Sequence, residues 1–410
     1  MVAFHYPPYE GGSGVHRTLK FSRYLPDHGW QPIVLSAHPR AYTQLGEEQI
    51  EEIPSDVIVK RAFALDTARH LSLGGRYLRF MALPDQWASW WWHGVFTGLK
   101  LVRKYRPNII WSTYPVATAH LIGLTLHRLT GLPWVADFRD SMTEANYPRD
   151  PWARQSYLWI ERRVVKYAHH LVFTAPLTRQ MYLQRYPNLN ANSCVLIPNG
   201  YDEDDFAGIE TSPRNGDTER GVIRLVHAGL IYTDDRDPTT FFRVIARLKK
   251  AAVITAQKLL IDLRASGSET YYQKLLFDLD IGDIVHLLPP LPHREAMKDC
   301  ALADALLIFQ AASCNHQIPA KTYEYLRLGK PILGLTPKES DTGRLLDEGK
   351  GATIVDLTDE ETMFQVLPKF IAAVAAHSHP LPDPEYAHRY SRRFQTSQLA
   401  AVLAERLDIN

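Results

Sequence analysis

The sequence has few cysteines, no long apolar run and almost no net charge. Its 410 residues include only three cysteines, Cys194, Cys300 and Cys314, and none of them forms a Cys-x-x-Cys pair. This count argues against a disulfide framework and against a zinc site, and it fits a reducing compartment. No stretch approaches the roughly 18 apolar residues of a membrane-spanning helix, and the N-terminus lacks the basic and apolar regions of an export signal. We therefore expect a cytoplasmic protein.

The charge balance and the composition exclude two further classes of protein. Lys and Arg total 46 against 45 Asp and Glu, so a net charge of +1 provides no global attraction for nucleic acid. Hydrophobic residues make up 45% of the chain and charged residues 22%. Because this leaves enough apolar surface to form a core, a largely disordered chain is excluded. At roughly 100–200 residues per domain, the length predicts two domains or three small ones.

Short apolar runs alternate with amphipathic stretches along almost the whole chain. In the first half, strands are predicted at 33–36, 109–112, 134–137 and 171–174, and helices at 15–28, 95–105, 117–129 and 157–167. A second set of strands is predicted at 224–228, 259–265, 284–287, 305–309, 331–335 and 352–355. This alternation is typical of parallel sheets covered by helices. The sequence therefore predicts two α/β domains, with a boundary near 197–221 and a last helix at 390–407.

Two polar segments follow predicted strands of the first domain. Gly11-Gly12-Ser13-Gly14 precedes a helix, where free N–H groups favour a phosphate, although a plain flexible turn has the same composition. Asp137-Phe-Arg-Asp140 follows a strand, at the sheet edge where α/β proteins bind their ligands. Its carboxylates either orient a substrate hydroxyl or act as a base, or they form a surface salt-bridge cluster with the arginine between them.

Two segments of the second domain combine a cation with the start of a helix. Arg236 follows the strand that ends at His227-Ala-Gly229, and it pairs either with a diphosphate or with its own acidic neighbours. Pro319 opens a helix that carries Lys321 and Glu324. The helix start and Lys321 suit a diphosphate, and Glu324 is placed to accept hydrogen bonds from ribose hydroxyls. A helix without a ligand could have the same composition.

Aromatic residues cluster just ahead of the helix predicted at 95–105. The four tryptophans are Trp87, Trp90, Trp91 and Trp92, and several cations follow them at 100–106. Amphipathic aromatic side chains beside cations suit a membrane interface. Aromatic clusters also pack cores and the walls between domains. Both interpretations stay open.

Taken together, these segments resemble the family 4 retaining glycosyltransferases, which have the GT-B fold. The similarity covers nearly the whole chain, because five motifs fall in the family's order. They are Tyr6-Pro-Pro with Gly11-Gly12, Asp137-Phe-Arg-Asp140, Ile197-Pro-Asn-Gly-Tyr, His227-Ala-Gly with Arg236-Asp-Pro, and Lys321-Thr-Tyr-Glu324-Tyr-Leu. The resemblance implies two Rossmann-like parallel-sheet domains facing a cleft, with the acceptor on residues 1–197 and the nucleotide-sugar donor on 222–388. A linker and surface loop would occupy 198–221, and a helix at 389–410 would cross back to the first domain.

The resemblance also implies roles for single residues. Arg236 and Lys321 would neutralise the diphosphate leaving group, while Asp137 and Asp140 would face the acceptor. The implied donor-binding residues are Gly11, Gly12, Gly229, Arg236, Gly267, His316, Pro319, Lys321 and Glu324. His316 departs from the family pattern, because it stands where the family usually has the first glutamate of a Glu-x₇-Glu motif. That glutamate helps to place the donor sugar, so the identity of the sugar stays open.

The reaction implied by the resemblance is transfer of a sugar, with retained configuration, from a nucleoside diphosphate to a hydroxyl group. UDP is the most frequent nucleotide of such families, and the acceptor is expected to be a glycan or a lipid-linked sugar in cell-surface polysaccharide synthesis. Protein cations would neutralise the leaving group, so we expect no metal and no cofactor. Contact with the inner membrane face through 87–92 and 100–106 is a further expectation. The alternatives are a nucleotide-sugar epimerase and a catalytically degenerate partner subunit.

The first predicted strand is short in comparison with the family. Related chains usually have several more apolar residues before the equivalent of Tyr6, whereas here the strand would start at Met1. Either the central strand of the first domain is short, or the true start of the chain lies a few residues upstream.

Overall fold

The computed structural model describes residues 1–11, 13–46, 49–209, 221–233 and 235–405, and the chain divides into two compact units. The first unit comprises Met1–Pro198 together with Arg392–Asn410, and the second comprises Asn199–Ser391. Within these described ranges, no helix is long and apolar enough to cross a membrane.

Strands and helices alternate in both units. The strands are β1 (Ile33–Ala37), β2 (Ile58–Ala62), β3 (Ile110–Thr113), β4 (Trp134–Phe138), β5 (His170–Phe173), β6 (Cys194–Leu196), β7 (Ile223–Ala228), β8 (Leu259–Arg264), β9 (Val285–Leu288), β10 (Ala305–Phe309), β11 (Ile332–Leu335) and β12 (Ala352–Val355). The helices are α1 (Ser13–Tyr24), α2 (Thr67–His70), α3 (Trp90–Tyr105), α4 (Ala117–Thr130), α5 (Pro151–Tyr167), α6 (Pro176–Arg185), α7 (Thr239–Lys250), α8 (Glu269–Asp278), α9 (His293–Ala301), α10 (Ala320–Leu328), α11 (Asp341–Glu348), α12 (Glu360–Ala375), α13 (Pro384–His388) and α14 (Arg392–Ala404).

The first unit contains a parallel sheet whose centre is occupied by the first residues of the chain. Strands pair in the orders β1-β2 and β3-β4-β5-β6, and Val2 bridges the two groups through parallel pairing with Leu35 and Ser112. The Val2 N–H donates to the Trp111 carbonyl at 2.7 Å, and the Thr113 N–H donates to the Val2 carbonyl at 3.1 Å. The chain order therefore reverses between Val2 and β3, which is where open α/β sheets bind ligands beyond their strand ends.

The second unit has a six-stranded parallel sheet in the order β12-β11-β10-β7-β8-β9. This is the strand order of a Rossmann fold, with the reversal between β7 and β10. All five residues of β10 are buried, and so are all four of β11. Because helices cover both faces of such a sheet, its strands are continuous apolar runs instead of alternating ones. Together the two sheets confirm the predicted α/β fold with two Rossmann-like domains.

Helix α3 begins five residues earlier than predicted. Trp90 is its first residue and is fully buried, so Trp90, Trp91 and Trp92 belong to the helix and Trp87 precedes it. Gly94 and Gly98 lie on its buried face, where an added Cβ would stand 2.5 Å from Ile122 and 2.7 Å from Leu126 of α4. These glycines, which resemble helix breakers in a sequence, let the two helices approach closely.

The last helix and the linker also differ from the prediction. The helix predicted at 390–407 begins two residues later, at Arg392, because the Tyr201 N–H donates to the Tyr390 carbonyl and Tyr201 pairs with Ser391. Residues 199–209 of the predicted linker 198–221 belong to the second unit, where Tyr201 and Phe206 are buried in its core. Residues 210–220 of that linker and 406–410 of the predicted helix lie outside the described part of the chain.

Helix α14 belongs to the first unit although it follows the second in sequence. It contacts α1, and Leu399, Val402 and Leu403 are buried in a core cluster with Phe21 of α1. The last helix therefore completes one face of the first sheet.

Candidate functional site

The second unit collects most of the predicted site residues at the carboxyl ends of its central strands. Gly229 directly follows β7, and its φ of +110° is a conformation that side chains rarely adopt. Helix α10 begins nearby, and the Ala228 N–H donates to the Tyr325 hydroxyl of that helix at 2.9 Å. The structure thus brings Gly229 and the first turn of α10 together at the point where the strand order reverses.

Lys321 stands in the first turn of α10 and contacts both His227 and the backbone of Gly229. Its Nζ lies 2.9 Å from Nε2 of His227, and a Cβ added at Gly229 would also lie 2.9 Å from Nζ. The His227 Nδ1 lies 2.7 Å from the Leu307 carbonyl, which favours a proton on Nδ1, whereas Nε2 lies near both the Lys321 Nζ and, at 3.1 Å, the Gly229 carbonyl. Burial and the charge of Lys321 hold the pKa of His227 well below its usual range, so the imidazole is neutral.

Arg236 places a second positive charge beside Lys321. Burial, and then the charge of Arg236, lower the pKa of Lys321 to about 7. The Arg236 Nη1 donates to the Leu230 carbonyl at 3.2 Å, and its guanidinium lies 5.3 Å from the centre of the Tyr232 ring. Two cations held close together, one of them with a lowered pKa, form a site that an anion would stabilise.

Glu324 follows Lys321 by one turn of α10 and meets a residue of α9. Its Oε1 lies 2.9 Å from Nε2 of His293, and its side chain is 17% exposed. Pro319 is the N-cap of α10, as predicted, and Gly329 ends the helix with a φ of +67°. His293 is the first residue of α9. Its contact with Glu324 therefore joins the segment 292–297 to α10, the helix that carries Lys321.

Two loops complete the candidate site of the second unit. Ser266 and Gly267 follow β8; Gly267 has a φ of +67°, and the Ser266 Oγ is buried without a hydrogen-bond partner among the described residues. His316 is partly buried in the loop before α10. That loop is fixed by the Gln310 side chain, whose Nε2 donates to the Gln317 carbonyl at 2.8 Å, and by the Asp341 N–H, which donates to the Asn315 carbonyl.

The first unit places Asp137 in a buried ion pair. Arg17 of α1 donates from Nε to Oδ2 at 3.0 Å and from Nη2 to Oδ1 at 2.7 Å, and Thr113 donates to Oδ2 at 2.8 Å. Both side chains of the pair are fully buried. Arg17 also donates to the carbonyls of Ile197 and Pro198. Asp137 thus joins α1, β3 and β4, an arrangement that suits a structural role better than that of a base.

Two other predicted residues of the first unit, Asp140 and Gly11, stand in or near loops at the strand ends. Asp140 is partly buried two residues after β4. Gly11 precedes α1 with a φ of +140°, and an added Cβ would lie 3.3 Å from the Gln44 side chain. Gly12 lies outside the described residues. Sequence reasoning assigned no role to Arg17, although an arginine on the apolar face of α1 was a visible signal.

No cluster of three His, Cys, Asp or Glu side chains that could hold a metal ion occurs in the described ranges.

Comparisons with known proteins agree with this architecture. Residues 11–200 match the family model described as a glycosyl transferase 4-like domain. No curated protein sequence matches the chain. The fold is shared with HepE of Anabaena, solved in complex with UDP, at 13% identity and a TM-score of 0.67 over 99% of this chain and 100% of that one. The fold is also shared with sucrose-phosphate synthase from Thermosynechococcus elongatus, at 12% identity and a TM-score of 0.65 over 99% of this chain and 96% of that one.

A third similar structure is WaaG, a glycosyltransferase of lipopolysaccharide biosynthesis, at 14% identity and a TM-score of 0.61 over 98% of this chain and 99% of that one. At these identities the likeness concerns the fold. The family-model match is therefore confined to residues 11–200, and the whole chain has the two-domain GT-B fold.

Proposed function

We propose that this chain is a retaining glycosyltransferase that takes a sugar from a nucleoside diphosphate, with UDP as the expected nucleotide, and transfers it to a hydroxyl of a glycan or lipid-linked acceptor. The observation that carries the proposal is the pair of cations, Lys321 and Arg236, at the first turn of α10 beside Gly229. The glycosyl transferase 4-like domain at residues 11–200 supports it from the other unit.

The proposed chemistry depends on the charge that builds on the departing diphosphate. The bond between the anomeric carbon and the phosphate oxygen breaks, a bond to the acceptor oxygen forms on the same face, and the acceptor proton passes to the departing phosphate. Arg236, Lys321 and the N–H groups of the first turn of α10 would stabilise that negative charge. Glu324 would accept hydrogen bonds from the ribose, and Asp140 would face the acceptor. No nucleophile from the chain is required.

The first test is thermal unfolding of the purified chain with UDP, GDP and ADP, each with and without EDTA. A ligand at 100 times its Kd adds about 2.7 kcal/mol to the free energy of unfolding. At roughly 2–4 °C per kcal/mol for a unit of this size, the midpoint should rise by about 5–10 °C. We expect the shift with one nucleotide, in EDTA as well, and we expect Glu324→Ala to lose it. The control is Glu361→Ala, because Glu361 is 71% exposed on α12.

Three results would contradict parts of this proposal. No shift with any nucleotide would favour the degenerate partner subunit, in which His316 replaces the usual first glutamate. An altered nucleotide sugar that forms without an acceptor would indicate an epimerase. If a transferred sugar has the opposite anomeric configuration to the donor, as read by NMR, the enzyme is inverting.

We also propose that the exposed face of α3 contacts an anionic membrane surface. Trp92 is 69% exposed and Phe96 62%, and the Lys100 Nζ lies 4.2 Å from the centre of the Phe96 ring. Arg103 and Lys104 continue the exposed face, and α3 contains no acidic residue. Aromatic side chains beside cations suit the headgroup region of a bilayer, and lysine and arginine add attraction to anionic lipids.

Sedimentation with vesicles tests the membrane contact. We expect binding to vesicles that contain anionic phosphatidylglycerol, weaker binding in high salt, and no binding to neutral phosphatidylcholine. The variant Trp92→Ser/Phe96→Ser should lose the binding, whereas Trp159→Ser, which changes another exposed tryptophan of this unit, should keep it. Equal binding by wild type and the double variant would refute this contact surface.

A further inference from the structure

The first unit has a cation of its own at the carboxyl ends of its central strands. Arg139 follows β4 by one residue, and Thr174, which follows β5, donates from Oγ1 to the Arg139 carbonyl at 2.6 Å. His5 lies three residues after Val2, which holds the central position of the sheet. Arg139 and His5 are therefore near the place where the strand order of this unit reverses, the position at which open α/β sheets bind ligands.

The Arg139 guanidinium lies directly against the first turn of α1. A Cβ added at Gly14 would be 1.9 Å from Nη1 and 2.5 Å from Cζ, distances that no real side chain could accept. Only a glycine at position 14 leaves room for the arginine. The guanidinium thus stands at the N-terminal end of a helix of 12 residues, where the helix dipole is positive and a cation is unfavourable.

The Nε of this guanidinium is buried without a hydrogen-bond acceptor in the described part of the chain. The nearest buried carboxylate in sequence, Asp137, already accepts two hydrogen bonds from Arg17 and one from Thr113. The charges of Asp140 and Asp137 raise the pKa of Arg139, but burial is the larger effect and lowers it. A guanidinium with five donors seldom stays unsatisfied when it is buried.

The neighbouring imidazole adds no charge to this cluster. Burial and the positive charge of Arg139 lower the pKa of His5 to about 3, so the ring is neutral, and it stacks on Tyr9 at 4.5 Å between centres. A planar guanidinium and a neutral imidazole stand beside a helix start, and the carboxylates whose charge acts on Arg139 are those of Asp140 and Asp137. Arginine binds phosphate and carboxylate groups through paired hydrogen bonds.

We propose that Arg139 forms an anion-binding subsite in the first unit, which takes the phosphate or carboxylate group of a substrate. The subsite consists of Arg139, His5 and the first turn of α1 at Gly14. It lies wholly in the first unit and does not depend on the nucleotide site proposed at Lys321. The natural source of such an anion is an acidic group on the acceptor.

The test is the rate at which phenylglyoxal modifies Arg139 in the full-length chain, followed by peptide mass spectrometry. Inorganic phosphate and acetate serve as probes, and Arg103, which is exposed on α3, is the internal control. A site that is occupied to about 90% should slow modification about tenfold at Arg139 and leave Arg103 unchanged. The same protection should persist in the variant Lys321→Met/Arg236→Met, in which the cations of the second unit are absent.

Each result has a definite meaning. Protection by phosphate that persists in the presence of saturating UDP supports the subsite and assigns it to an acidic group on the acceptor. Protection by UDP itself, with exclusion of phosphate, would refute the assignment of the subsite to an acidic group on the acceptor. The proposal is refuted if no anion slows the modification, or if the double variant loses all protection. If anions protect Arg139 but no nucleotide binds to the chain, the result supports this subsite and contradicts the proposed transferase function.

Discussion

Replacement of Lys321 by methionine should stabilise the protein while it removes nucleotide binding. Lys321 is positively charged in the unfolded chain, but in the folded second unit burial and Arg236 lower its pKa from 10.5 to about 7. Near pH 6, a pKa change of this size lowers the free energy of unfolding by about 5 kcal/mol. Methionine removes that cost but leaves Nε2 of His227 without its donor, which costs about 1–3 kcal/mol. The net expected gain near pH 6 is about 2–4 kcal/mol.

The pH dependence gives a sharper test than the absolute gain. Between pH 7 and 10.5 the unfolded chain holds a proton on Lys321 that the folded chain does not, so the free energy of unfolding of the wild type rises with pH. The slope relative to Lys321→Met is about 1.4 kcal/mol per pH unit. From pH 7.5 to 9 the stability gap between the two proteins should therefore close by about 2 kcal/mol. Titrating groups that do not interact with Lys321 cancel in this difference.

The assay is urea unfolding of both proteins at four pH values between 6 and 9. The unfolding signal is one that reports on the second unit, which contains Lys321. Lys338→Met is the matched control, because Lys338 is 65% exposed and its Nζ lies 3.4 Å from Asp347. Its stability difference from the wild type should be small and nearly independent of pH. A constant gap between wild type and Lys321→Met across this range, or a loss of stability in Lys321→Met at pH 6, would refute the reasoning.

Two further predictions concern the buried ion pair and the glycine at the site. Arg17→Met leaves Asp137 charged and buried, so it should destabilise the first unit by about 3–5 kcal/mol in urea unfolding. The double variant Arg17→Met/Asp137→Leu should recover much of this loss. Equal stability of the single and the double variant would contradict the role of the pair. Gly229→Ala puts a Cβ 2.9 Å from the Lys321 Nζ at a φ of +110°, so we expect about a tenfold weaker nucleotide affinity in calorimetry. The control Gly282→Ala, which has open space around the added Cβ, should bind the nucleotide with wild-type affinity. Unchanged affinity in Gly229→Ala would argue against this contact.

The strands of the second unit were the easiest feature to predict from the sequence. β10 has the predicted bounds, because a strand covered on both faces is a continuous apolar run, and β12, in which only Val355 is buried, also has them. Helix ends were harder where a long-range contact decides them. The start of α14 at Arg392 instead of residue 390 follows from the pairing of Tyr201 with Tyr390 and Ser391. No local sequence pattern contains this pairing. The early start of α3 depends on the fit of Gly94 and Gly98 against α4.

The candidate site was predicted as a set of residue types and positions, but not as a set of contacts. The start of α10 at Pro319 followed from the sequence, whereas the contact of Lys321 with His227 joins residues 94 positions apart. The same limit applies to Asp137, whose partner Arg17 lies 120 positions away. An Asp-Phe-Arg-Asp segment is compatible with a base, a surface cluster or a buried pair. Burial decides between them, and burial is a property of the whole fold.

The measurement that tests the central claim most directly is calorimetric titration of UDP into wild type, Lys321→Met and Lys338→Met at pH 7. A hydrogen bond to a charged group contributes about 1.5–3 kcal/mol, so Lys321→Met should bind at least about tenfold more weakly than the wild type. Lys338→Met should bind with wild-type affinity. Equal affinity of all three proteins for UDP would contradict the assignment of Lys321 to the diphosphate.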